Sequence, residues 1–380
     1  MEIPLSYEML RVIWWALMGI LLIGFAATDG FDLGVAALLP VVSRTDMERR
    51  IAINTVGPTW EGNQVWLILG GGAIFAAWPQ VYAVSFSAFY LAMFVVLAAL
   101  ILRPVGFKYR SKRESRVWRT FWDYALFIGG FVPALIFGVA VGNVLQGVPF
   151  RIDNTMRVFW EGSFFGLLNP FALLCGLLSV SMLGLHGATW LGLKAEKGPV
   201  RDRARALAPR FAVISMILFA VGGAWVAIGG FGYVASAVDP SGPSNPLLTQ
   251  TQAQAGGWFT NYIEYPLLMT VPALGFAGAV LALLGVRFNS DAAAFLGSKL
   301  SVVGIIATVG VSMFPFILPS SLDPSSSLTV WNSSSSHLTL FIMLIFTLIF
   351  LPIVLAYTAW AFKIMWGRVT EEEIVSGDYY

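Results

Sequence analysis

Residues 13–34 read IWWALMGILLIGFAATDGFDLG, an apolar run interrupted by two carboxylates, Asp29 and Asp32. These are the only charged side chains between Val12 and Val42. A carboxylate at membrane depth is costly, so acids placed there mark ion, proton or substrate paths. The run exceeds the short apolar region of a signal peptide and lacks a small-residue cleavage site, so it reads as a retained helix. Beside Gly30, the two acids also admit a structural reading, as supports for a helix break.

Working outward, 57% of the 380 residues are hydrophobic and 12% charged, a balance outside that of soluble globular chains. A spanning helix needs about 20 mostly apolar residues. Nine segments qualify: 9–42, 63–79, 81–102, 121–143, 163–187, 207–230, 265–286, 298–317 and 338–362. The expected fold is therefore an all-α integral membrane protein, a single polytopic domain over residues 1–380.

Short cytoplasmic loops hold the excess of Lys and Arg. Arg103, Lys108, Arg110, Lys112, Arg113, Arg116 and Arg119 follow the third segment, and Lys194, Lys197, Arg201, Arg203, Arg205 and Arg210 follow the fifth. Residues 231–265 and 317–338 contain neither Lys nor Arg. The two basic loops are thus expected inside and the two loops without Lys or Arg outside, with the N-terminus outside and the C-terminus inside. Arg11 is expected to snorkel near the outer surface. Basic residues beside spans point to lipid headgroups rather than nucleic acid.

Cys175 is the only cysteine, which excludes an intrachain disulfide and a thiolate cluster. His186 and His337 are the only histidines, and the topology sets them at opposite membrane faces. Each reads as a hydrogen-bonded or interfacial histidine rather than a haem ligand. No GxxxxGK[ST], HExxH or CxxC pattern occurs, so no metal site and no catalytic residue is assigned to this chain.

A second acidic landmark, Thr55-Val-Gly-Pro58-Thr-Trp60-Glu61-Gly-Asn63, leads into the second segment. Glu61 at its cytoplasmic start and Asp29 deeper on the first helix could relay a proton inward if the helices touch. The alternative for Glu61 is stabilisation of the exposed amides at a helix start, and Asp123 after the basic loop admits the same reading.

At these residues the sequence resembles subunit II of the cytochrome bd type quinol oxidases. The resemblance rests on IWWALMGILLIGFAATDGFDLG, ERRIAINTVGPTWEGNQVWLI, GGAIFAAWPQVY, ILRPVGFKYRSK, FVPALIFGVAVGNVLQGVPF, MFPFILPSS and LTVWNSSSSHLTL, in that order and over essentially the whole chain. It implies two four-helix bundles plus one additional helix, in a multi-pass protein of the bacterial inner membrane. It implies a haem-free subunit, not catalytic alone, beside a subunit I that binds two haems b and one haem d. Small single-helix accessory subunits, membrane lipids and a structural quinone belong to the same picture. The complex would oxidise quinol near the outer face and reduce O2 to water with cytoplasmic protons, building a proton motive force without pumping.

By the same resemblance, Asp29 and Glu61 match proton-supply positions, Lys112 and Asp123 match entry positions, and Trp66 matches the mouth of an oxygen channel. Asp32 is grouped with the proton path by proximity alone. Lys108 departs from an acid found in some members. A proton-coupled secondary transporter also places acids at mid-membrane, but it commonly shows internal repeats, and none is evident here.

Overall fold

The computed structural model describes residues 3–376. Its helices in chain order are α1 (Tyr7–Val42), α2 (Asp46–Asn54), α3 (Trp60–Ala77), α4 (Pro79–Ala88), α5 (Tyr90–Tyr109), α6 (Arg116–Gln146), α7 (Pro170–Lys194), α8 (Pro199–Ile228), α9 (Thr260–Glu264), α10 (Thr270–Arg287), α11 (Asp291–Met313), α12 (His337–Ile364) and α13 (Glu371–Val375). Eight helical stretches are long and apolar enough to cross a membrane. Glu61, Asn63 and Gln64 lower the apolarity of α3 below that standard. It starts beside α2, and at its far end the Trp78 indole donates to the Val330 carbonyl at 3.3 Å. The nine expected segments are thus met by eight such stretches, with α3 standing in the place of 63–79.

Most of the expected boundaries move, by up to eight residues: 163–187 becomes Pro170–Lys194, 207–230 becomes Pro199–Ile228 and 298–317 becomes Asp291–Met313. The third expected segment, 81–102, is met by α4 and α5 together, from Pro79 to Tyr109, with an irregular turn at Phe89, where the Phe89 amide still donates to Ser85 at 2.9 Å. It extends past residue 102 because the Arg103 guanidinium is neutralised inside the bundle. α1 continues unbroken through Gly30 and Gly34, which removes the helix break as an account of Asp29 and Asp32.

The first bundle contains α1, α3, the α4–α5 unit and α6, and the second contains α7, α8, α10 and α11; α12 lies against α1 and α3. The bundles join where α7 packs on α1 and α6. With no hydrophobic driving force between helices in lipid, small residues permit the close backbone contact that holds them. Gly187 on α7 faces Gly34 on α1 so closely that a Cβ on Gly187 would lie 2.5 Å from the Gly34 carbonyl carbon.

Three antiparallel hairpins cap the end opposite α2: β1 (Phe150–Ile152) with β2 (Val158–Trp160), β3 (Tyr233–Ala237) with β4 (Gln250–Ala253), and β5 (Phe316–Leu318) with β6 (Leu328–Thr329). Arg11 belongs to this cap and does not snorkel. It is fully buried, donating from Nε to Ser334 Oγ at 2.8 Å, from Nη1 to the Pro240 carbonyl at 2.7 Å and from Nη2 to the Gly242 carbonyl at 3.1 Å. The fixed fork of guanidinium donors meets loop acceptors that replace water.

At the α2 end, ion pairs fasten the basic loops. Asp46 pairs with Arg110 at 2.9 Å and Arg119 at 2.8 Å, and Asp291 with Arg201 at 2.7 Å, Arg368 at 3.1 Å and Arg205. Glu48 takes Arg203 at 2.6 Å. Burial pushes the Glu48 carboxyl up, but hydrogen bonds from Arg203 and the amides of Arg44 and Thr45 outweigh it and hold the group below its usual range. A depressed folded value contributes stability that is complete above the unfolded value, about 4.3 for Glu, and lost as pH falls through the folded one. Thermal unfolding from neutral pH to about pH 3 should therefore show Glu48→Gln less stable than wild type at neutral pH and converging on it in acid. Parallel curves would contradict this.

Candidate functional site

Asp29 and Asp32 stand three residues apart on α1, a spacing that sets both on one face. That face is wholly enclosed, and both carboxylates are fully buried. From α5, Arg103 reaches Asp29 with two donors, Nη1 to Oδ2 at 2.9 Å and Nη2 to Oδ1 at 2.7 Å. The fork matches the carboxylate geometry and gives a short, charge-assisted pair. Arg103 Nη2 also lies 4.0 Å from Asp32 Oδ2. From α3, Asn63 donates to that same oxygen at 2.8 Å. Asp32 Oδ1 and Arg103 Nε lack hydrogen-bond partners in the chain. On α6, Gly129 leaves room for the stem, since a Cβ there would meet Arg103 Cγ at 2.8 Å.

Four helices thus contribute to one polar island inside the first bundle. Its charges do not cancel when both acids are ionised, because two carboxylates face one guanidinium. A single proton on the Asp32 side makes the island neutral, so the arrangement can hold and release one proton at membrane depth.

The other sequence-derived candidates lie elsewhere. Glu61, in the first turn of α3, is exposed, its carboxylate 3.8 Å from Lys108 Nζ on α5. Lys112 is exposed in the turn after α5. Asp123 is buried two turns into α6, 2.5 Å from Arg110 Nε and 3.3 Å from Arg49 Nη1. The structure therefore brings Asp29 and Asp32 together, and leaves Glu61, Lys112 and Asp123 at the α2 end. Trp66 is buried on α3 against α1, where a Cβ on Gly24 would meet its ring at 2.8 Å.

Both histidines are engaged. His186 Nε2 lies 3.2 Å from the Ala27 carbonyl, which can only accept, and Nδ1 lies 2.8 Å from Ser298 Oγ. Nε2 therefore carries the hydrogen. His337 Nε2 lies 2.8 Å from the Leu5 carbonyl. Both ring nitrogens of His186 are thus engaged, which does not suit an axial haem ligand. Among the described residues, no three His, Cys, Asp or Glu side chains are grouped to hold a metal ion.

The family model for cytochrome bd terminal oxidase subunit II matches residues 10–365. The chain belongs to this family. It is 52% identical to the probable cytochrome oxidase subunit 2 of Haemophilus influenzae, covering 96% of each chain. It is 50% identical to the cytochrome bd-I ubiquinol oxidase subunit 2 of Escherichia coli, over 97% of this chain and 98% of that one. The bd oxidase structure from Geobacillus thermodenitrificans shares the fold, with a TM-score of 0.67 at 15% identity over 94% of this chain and 98% of the other. As a cytochrome bd subunit II, the chain is a multi-pass part of a terminal oxidase, an oxidoreductase complex with haem cofactors, and subunit I is its implied partner. Membership displaces the transporter reading.

Arg103 and Asn63, which complete the acid cluster, were not among the sequence-derived site residues. A signal for Arg103 exists, since Pro104-Val-Gly-Phe107 continues the apolar character beyond it. That continuation places the arginine within a helix rather than in the loop.

Proposed function

We propose that this chain is the haem-free subunit II of a quinol:O2 oxidoreductase of the bacterial inner membrane, with proton uptake from the α2 end. The observation that carries the proposal is the buried Asp29–Arg103–Asp32–Asn63 cluster, whose unequal charges suit it to hold a transferable proton. Quinol as donor draws on the Escherichia coli relative, whose name specifies ubiquinol. The engagement of both His186 nitrogens, and of His337 Nε2, favours haem b and haem d in subunit I. The basic α2 end is assigned to the cytoplasm and the hairpin cap to the outer side.

Reduction of one O2 to water consumes four electrons and four protons, which the haems of the partner subunit would combine. This chain's part is to admit protons and O2. Glu61 and Lys112 supply polar groups at the entry surface, and Asp123 lies buried just behind them. Asp32 holds a proton deeper in, beside Asp29, whose two oxygens fix the Arg103 guanidinium. Trp66 guards the apolar route by which O2 approaches. Residues 1–380 form one polytopic unit, although 1–2 and 377–380 lie outside the described residues.

In the assembled oxidase, Glu61→Gln and Asp32→Asn should each leave the reduced-minus-oxidised haem spectrum normal while lowering quinol-driven O2 consumption, by roughly tenfold or more for the buried acid. Wild-type turnover at full haem content in both variants would eliminate the relay. Trp66→Ala should raise the apparent KM for O2 with haem content unchanged; loss of haem d instead would show that Trp66 serves packing.

A further inference from the structure

Lys299 is a charged residue that the proposed oxidase chemistry does not use. It stands in the spanning helix α11, eight residues beyond Asp291 and therefore about 12 Å along the axis from the ion-paired inner end. The other charged groups buried at depth, Asp29, Asp32, Arg103 and Arg11, all have partners within the chain. Among the described residues, no carboxylate lies within ion-pair distance of Lys299. Its recorded contact is the Phe295 ring, whose centroid is 5.0 Å from Nζ.

Phe295 is one turn nearer Asp291, so the Lys299 side chain runs back toward the α2 end, the direction in which helical side chains lean. The Phe295 ring is itself fixed. It stacks on His186 at 4.9 Å with the planes 4° apart, and meets Trp190 at 5.2 Å and Phe31 at 6.0 Å. The ammonium therefore rests on a rigid aromatic bed and remains half-buried. Its depth and direction suit the boundary between acyl chains and headgroups, where a lysine extends its charge toward the interface.

We propose that Lys299 binds the phosphate of a phospholipid in the leaflet at the α2 end, with the lipid's glycerol region lying along Phe295. An ammonium has three donors and no acceptor, and a phosphodiester supplies both the acceptor oxygens and the compensating charge. The inference concerns this end of the bundle whichever side of the membrane it faces, so it stands apart from the assigned orientation and proton path.

The test uses the assembled, delipidated oxidase and three probes: dioleoyl phosphatidylglycerol, dioleoylglycerol and inorganic phosphate. Binding is read by retained mass in native mass spectrometry and by the shift in unfolding temperature. Wild type and Lys299→Arg should retain phosphatidylglycerol, Lys299→Gln should bind it about fivefold more weakly, and the other two probes should not protect. Equal phosphatidylglycerol binding by Lys299→Gln and wild type would overturn the proposal. So would equal protection by dioleoylglycerol, or protection by inorganic phosphate alone, which would mark a free-anion site. If Lys299→Gln does not assemble, wild type decides on its own: indifference to the lipid phosphate would point to a carboxylate of subunit I as the counterion.

Discussion

Arg103→Met should nearly abolish accumulation of the assembled oxidase, while Asp29→Asn and Asp32→Asn should each leave a substantial fraction intact. The asymmetry follows from the count of charges. Removing the guanidinium leaves two fully buried carboxylates on one face of α1 with no cation between them. Breaking a buried pair in this way typically costs about 3–5 kcal/mol, a large fraction of ordinary domain stability. Removing Asp29 leaves Arg103 within 4.0 Å of Asp32, close enough to re-pair with a small side-chain movement. Arg103→Met combined with Asp29→Leu should recover much of the loss, since only Asp32 then remains and it can carry a proton. Yield of the haem-containing complex and its unfolding temperature measure the series. Wild-type accumulation of Arg103→Met would show that the pair does not hold the bundle.

Gly187→Leu should separate the two bundles and give little folded protein, and Gly187→Ala should already lower stability by about 1–3 kcal/mol. Here the obstacle is backbone rather than a side chain that could turn aside. A Cβ on Gly187 would fall 2.5 Å from the Gly34 carbonyl carbon and 2.6 Å from the Val35 nitrogen. Moving α7 away from α1 would also stretch the bond between His186 and the Ala27 carbonyl, two residues before Asp29. Turnover per haem should therefore fall together with unfolding temperature in Gly187→Ala. Gly223→Ala on α8, where a Cβ meets nothing within 4 Å, is the control and should match wild type or slightly exceed it. Indistinguishable behaviour of the two alanine variants would contradict the packing argument.

Eight of the spans were legible in the sequence because lipid imposes length and apolarity on each, and the acids stood out because so few charges interrupt those runs. The partners of the acids were harder to read. Arg103 closes an apolar segment and opens a basic one, and counting Lys and Arg by loop assigns it to the second group. Its actual place depends on an acid more than 70 residues earlier in the chain, which no local pattern reports. Arg11 was misplaced for a similar reason, since its acceptors are carbonyls of a distant loop. Pro104 and Pro133 also lie within helices, where neighbouring helices tolerate breaks that water would not.

The ion pairs at the α2 end give the basic loops a history in two stages. Membrane orientation is set while the chain is being inserted, when the arginines are still free cations. Arg110, Arg119, Arg201, Arg203, Arg205 and Arg368 then end on Asp46, Asp123, Asp291 or Glu48. Arg368, the last of them to emerge from the ribosome, reaches an aspartate that precedes the final crossing. The charges that choose a direction during synthesis become, once the chain is complete, the clasp that closes it.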